Sequence, residues 1–320
     1  DRDAKIHING PVLNAVTRAR LRQQVGYVLS NFSSVNKFEL TYNGSVVGED
    51  APTGFQEAPM SPEISKRVVG LEDGKLVIRE DYLSQQPETT GTESVTDASD
   101  PAINYDGTAL ACLGDTGRSL YFLSGGKGQY LVKNKKMTAP SFDSFGWLWV
   151  AESDGAVRAY NAASTNEKER SKGIEIPVSW RSGMTFSSLR ISHDGARVVV
   201  VGTRDGTAAV VMSGVVRDSS GTPKGFTEPV RVTSSITPRT AVWAGEQNLV
   251  VVNDKTGESE VTTLSGEETK FDRLDGVKSV SAAGNTSNML AHRSDGSCYV
   301  LEERGWNRLN TSTREMSFAG

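Results

Sequence analysis

Short apolar runs of four or five residues, separated by glycine-centred turns, recur along most of this 320-residue chain. The clearest example is Ala139-Pro-Ser-Phe-Asp-Ser-Phe-Gly-Trp-Leu-Trp-Val-Ala-Glu-Ser-Asp-Gly-Ala-Val-Arg-Ala-Tyr160, which predicts strands at 140–142, 147–151 and 156–160. Its turns fall at Phe145-Gly146 and Ser153-Asp-Gly155; an Asp-Gly dipeptide accepts positive φ and closes a hairpin. The same order of strand, turn, strand, hairpin turn and strand returns over Ile103–Leu123, Leu189–Met212, Ala241–Leu264 and Val280–Leu301. The hairpin glycines at 117, 155, 206, 257 and 296 are 38, 51, 51 and 39 residues apart, and each follows a first-turn glycine by 9 to 12 residues.

A further hairpin, Lys66–Leu71 with Lys75–Arg79 around Glu72-Asp-Gly74, copies only the second and third strands. The prolines of Ala58-Pro-Met-Ser-Pro62 bar a clean first strand before it. Glu315-Met-Ser-Phe-Ala-Gly320 has the pattern of that missing strand. Repeats of roughly 40 to 50 residues built from short strands suit propeller blades. The alternative is a β-sandwich or two stacked barrels. The expectation is an all-β chain, a six-bladed β-propeller closed by its C-terminal strand, because closure shields sheet edges.

The first fifty residues differ. Lys5–Ile8 alternates briefly, Pro11 suits a helix start, and Val12, Leu13, Val16, Leu21, Val25, Val28 and Leu29 recur at helical spacing up to Ser30-Asn31. Val35–Gly44 then alternates as one strand. Such a segment is too small to bury its own core, so it reads as the tail of a cut α/β domain in preference to an element docked on the propeller. The organisation is therefore 1–50 as that segment, 51–63 as a linker, and 64–320 as the propeller. The polar stretch Ser84–Asp100 reads as mobile, and Thr165–Lys172 and Asp218–Gly225 as long loops that lengthen two repeats.

Composition narrows the function. A net charge of −4 gives no basic face for nucleic acid. Apolar runs of four or five residues are too short for a membrane span. The chain opens on Asp1 without Met or a signal-like stretch, as a mature or trimmed fragment would. Cys112 and Cys298 sit in apolar runs as small buried side chains, and a blade between theirs keeps them from pairing.

No catalytic constellation emerges. His7, His193 and His292 lack partners at metal-ligand spacing, and His193 reads as a turn residue. Ser124-Gly-Gly-Lys-Gly128 lacks the strand-to-helix context of a phosphate loop. Ser141-Phe-Asp-Ser-Phe-Gly-Trp147 resembles the Asp-box of sialidase-type propellers but has an extra residue and no repeats. Asp154, Asp205 and Asp295 answer to turn geometry. Trp147 and Trp149 share one side of a strand and predict packing between blades. Trp180, Arg181 and Trp306 fall near blade ends and are the candidate exposed anchors for a partner. No cofactor and no metal are called for.

Ala139–Val150 resembles the signature first-strand region of the LpqB family of actinobacterial lipoproteins. Leu13–Phe32 with Val35–Gly44 is similar to the end of the GerMN domain that precedes the propeller in that family. The resemblance implies an exported protein, lipid-anchored outside the cytoplasmic membrane through an N-terminal cysteine that this chain does not include. It also implies an accessory role beside the MtrA–MtrB two-component system, by contact with the extracellular domain of the sensor histidine kinase. It offers no catalytic residues. Two other functions stay open: a receptor for a small ligand or cell-wall glycan in the central channel, and a propeller hydrolase, which would need facing carboxylates.

Overall fold

A computed structural model describes residues 3–30, 34–53, 55, 65–84, 87–89, 94–232, 234–303 and 305–320. The chain forms two compact units, Asp1–Glu63 and Ile64–Gly320. Most of the expected linker at 51–63 lies outside the described residues.

In the first unit, strand Asp3–Ile8 pairs in parallel with Lys37–Tyr42, which turns through Asn43-Gly44 to pair with Ser45–Val46. The helix α1 joins the two parallel strands and spans Ala15–Ser30. It starts later than Pro11 suggests, because the Asn14 Oδ1 accepts from the Thr17 amide at 2.8 Å and caps it. Leu13, Leu21 and Val25 pack on Leu40, Tyr42 and Val47, whereas Val12 and Val28 stay 97% and 60% exposed. The expected end of the helix at Asn31 lies outside the described residues.

The second unit contains six antiparallel sheets among the described residues. Sheet I is Arg314–Phe318, Val68–Glu72, Lys75–Arg79 and Glu88–Thr89; sheet II is Ser99–Ile103, Ala109–Gly114, Ser119–Ser124 and Lys127–Val132. Sheet III is Ser141–Phe142, Trp147–Ala151, Val157–Asn161 and Ile174–Ile176. Sheet IV is Met184–Ile191, Arg197–Arg204, Thr207–Arg217 and Pro223–Phe226, with Val230–Val232 also on its third strand. Sheet V is Pro238–Trp243, Asn248–Asn253, Ser259–Thr263 and Glu268–Lys270; sheet VI is Val277–Ala282, Met289–Arg293, Cys298–Glu302 and Gly305–Arg308.

The first strands touch in cyclic order from sheet I through sheet VI and back to I, so the sheets stand around one axis. There is no single core. Six apolar seams fill the gaps, each between consecutive sheets. Alternate residues of a middle strand enter different seams: Ala111 packs toward sheet III and Cys112 toward sheet I. This is why the middle strands read as unbroken apolar runs rather than alternations.

The end of the chain completes the first sheet, with Ser317 opposite Val69 and Phe318 opposite Val68. The approach is close: a Cβ on Gly70 would stand 2.2 Å from Thr313 Cγ2. Arg79 Nε donates to Thr313 Oγ1, and Thr313 and Ser312 donate to the Glu72 carboxylate, which also pairs with Arg79.

Three loop expectations change. In Ser84–Asp100, Glu88–Thr89 forms the outer strand of sheet I, and Val95 is buried between sheets I and II; residues 85–86 and 90–93 lie outside the described residues. Thr165–Lys172 holds the short helix α2, Glu167–Lys172, capped by Asn166. Asp218–Gly225 turns into the fourth strand of sheet IV. Polar composition hid these elements because each is held by backbone pairing or a cap rather than by an apolar face.

Candidate functional site

Two places gather chemistry: the axis, and the rim formed by the turns between first and second strands.

At the axis, five of the six first strands carry a register shift, at Ser99/Ala102, Phe186/Ser188, Pro238/Thr240, Val277/Ser279 and Arg314/Ser317. A bulge bends the strand and re-aims a side chain. Three of these bulges bring Asp100, Lys278 and Glu315 together, and Asp100 and Glu315 adopt left-handed φ values of 52° each. The Lys278 ammonium lies 3.2 Å from Asp100 Oδ2 and 3.4 Å from Glu315 Oε2. Glu315 Oε2 also accepts from the Asp100 amide at 2.8 Å. Behind them, on the second strand of sheet VI, His292 is 5% exposed, and its buried Nε2 has no hydrogen-bond partner.

One donor atom each from Asp100, His292 and Glu315 lies within 4.8 Å of the other two. Burial opposes ionisation of Asp100, but the Lys278 ammonium, the His292 imidazole and the Ser99 hydroxyl together outweigh it and hold the carboxyl below its usual range. Burial also pulls the His292 imidazole below its usual range, favouring the neutral ring. Arg190 lines the same space, its Nη1 donating to the carbonyls of Ala139, Pro140 and Leu189. The axial cavity measures about 60 Å³ and draws lining residues from all six sheets or the turns beside them.

At the rim, the aromatic ring of Phe145 is 50% exposed yet held on three sides. The Arg217 guanidinium sits 4.3 Å over its centroid, and glycines 195 and 221 leave room that a Cβ would fill at 2.7 and 3.0 Å from the ring. Arg217 is itself anchored, pairing at 2.6 Å with the buried Asp143 carboxylate. Asp143 also accepts from Trp149 Nε1 at 2.8 Å and from the amides of Phe145 and Trp147 at 2.9 and 2.8 Å. The residue that sequence likened to an Asp-box is thus a structural hub. On the same rim, His193 stands in the turn, as its position suggested, and meets Tyr105 edge-on at 4.5 Å.

The candidate anchors sit less freely than their positions suggested. Trp180 is half-buried, stacked on Phe226, with its Nε1 donating to Thr227 O at 3.0 Å. Arg181 pairs with Glu175 at 3.6 Å. Trp306 packs edge-on against Phe271 at the seam between sheets V and VI. Trp149 is fully buried with Trp147 beside it, in the seam between sheets III and IV. His7 bonds to Thr41 in the first unit. Both cysteines are free and buried, and burial pushes their thiols up to about 12 and about 11.

Sequence spacing missed the axial cluster. Its members come from four strands up to 215 residues apart, and bulges in three of those strands, which leave no sequence signature here, help bring them together. Phe145 was passed over as one residue of a turn.

Comparison with known proteins bears on the fold and the family. The lipoprotein LpqB of Streptomyces avermitilis is 27% identical over 171 residues, a match spanning 49% of this chain and 27% of that protein. The matched region thus spans about a quarter of that relative's length. A nidogen/laminin complex structure superposes with a TM-score of 0.51 at 10% identity, over 79% of this chain and 98% of that one. A virginiamycin B lyase from Staphylococcus aureus gives 0.47 at 10% identity, over 74% and 77% of the two chains. No helix among the described residues is long and apolar enough to cross a membrane. The family model for the lipoprotein LpqB beta-propeller domain matches residues 75–316, and the chain belongs to that family.

Proposed function

We propose that this chain is a non-catalytic, extracytoplasmic propeller that binds the extracellular domain of a sensor histidine kinase and so modulates two-component signalling at the cell envelope. The family membership supports the envelope setting. The observation that carries the binding role is Phe145: a half-exposed aromatic ring immobilised by Arg217 and two close glycines. A pre-ordered aromatic loses little side-chain entropy on contact, which is the property of an interface hot spot.

The dimensions of the axis argue against a glycan receptor. Its cavity of about 60 Å³ compares with roughly 300–1,000 Å³ for pockets that enclose drug-sized ligands. The test is direct binding of the purified kinase extracellular domain to this chain and to its Phe145→Ala variant. The proposal expects association with the parent and at least tenfold weaker binding, roughly 1.4 kcal/mol, with the variant. Absence of association with the parent would overturn it.

A further inference from the structure

Three features of the axis have no place in a partner-binding role: a buried imidazole with an unmet nitrogen, two carboxylates turned inward on left-handed backbone, and a small cavity beside them. We propose that Asp100, His292 and Glu315 bind one divalent transition-metal cation of the Zn²⁺ or Mn²⁺ class, with Lys278 occupying the cation position until the metal displaces it.

The donor set comes first. One imidazole nitrogen and two carboxylate oxygens suit Zn²⁺ and Mn²⁺ rather than the all-oxygen cages of Ca²⁺ and Mg²⁺. The three donor atoms already lie within 4.8 Å of one another. Metal–ligand bonds of about 2.1 Å place neighbouring donors about 3.4 Å apart, so modest side-chain rotation completes the set.

The independent observation is His292. Its Nε2 is buried without any hydrogen-bond partner. A buried polar atom left unmet costs free energy, and native structures rarely keep one without use. Lys278 does not meet that need: its ammonium contacts both carboxylates but makes no bond to the imidazole. Those contacts, at 3.2 and 3.4 Å, are longer than the roughly 2.7–2.9 Å of tight charge-assisted bonds. One ammonium thus balances two carboxylates loosely and leaves the nitrogen idle. A divalent cation satisfies all three donors and displaces the Lys278 ammonium, whose side chain is 27% exposed. The roughly 60 Å³ of space there takes the waters that complete a three-ligand site.

The test uses the full chain without a polyhistidine tag, stripped with chelator and titrated calorimetrically with Zn²⁺ and separately with Mn²⁺. The parent is expected to bind one equivalent of at least one of the two. Affinity falls at least tenfold in His292→Ala and Glu315→Gln, and rises in Lys278→Met, where no ammonium competes. Should either loss variant fail to fold, X-ray absorption on the zinc-loaded parent decides: one nitrogen donor among oxygens supports the site, and an all-oxygen shell refutes it. No uptake by the parent up to millimolar metal overturns the proposal. So does affinity unchanged in a folded His292→Ala protein, or uptake confined to Lys278→Met, which would make the lysine the permanent cation.

Discussion

Replacing Asp143 with alanine tests how the rim is built. The carboxylate accepts four hydrogen bonds, two from backbone amides, one from the indole of the fully buried Trp149, and one from Arg217. Asp143 is 2% exposed and the Arg217 side chain 10% exposed, so alanine strands a guanidinium with little access to water. Breaking a buried ion pair from one side costs about 3–5 kcal/mol. For a unit of this size that lowers Tm by about 6–20 °C. Urea unfolding followed by tryptophan fluorescence measures the loss as a fall in midpoint at unchanged slope. Adding Arg217→Met removes the stranded charge, and the double variant is expected to recover about 1–3 kcal/mol of the loss. A single-variant loss below about 1 kcal/mol, or a double variant no better than the single, would refute the idea that a buried ion pair organises this rim.

Other outcomes follow from the same contacts. Gly70→Ala is expected to cost about 1–3 kcal/mol, because its Cβ would strike Thr313 on the closing strand; an unchanged urea midpoint would show that closure tolerates the extra atom. Burial raises the proton affinity of Glu72, but hydrogen bonds from Thr313 and Ser312 and the Arg79 contact outweigh it and hold its pKa below the usual value. Its contribution is therefore present above the unfolded-state value of about 4.3 and is lost as pH falls through the lower folded-state value. Glu72→Gln should accordingly show a shallower acid-side loss of Tm than the parent, and parallel curves would exclude the linkage. Asn166→Ala removes the cap of α2 and is expected to cost about 1 kcal/mol by urea titration.

The propeller was legible because its punctuation is chemical. The glycines of both turn sets hold positive φ, as at Gly155 with 86° and Gly245 with 106°, conformations that few other residues accept. The closing strand was legible for a related reason: the first hairpin lacked a partner and the last residues had no hairpin to follow. Short strands such as Glu88–Thr89, and the bulges that aim Asp100 and Glu315, left no such mark, since two residues cannot show a period and a bulge interrupts one. Trp180 and Trp306 are partly buried. Position near a sheet end suggested exposure, yet Phe226 and Phe271 lie against their rings.

The central claim is that a partner docks on the rim where first and second strands turn. Amide hydrogen exchange of this chain, with and without saturating kinase extracellular domain, measures it most directly. Slowed exchange at 144–146, 193–195 and 218–222 is the predicted result. Unchanged exchange, or protection confined to the hairpin turns at 154–155, 205–206 and 295–296 on the opposite rim, would contradict it.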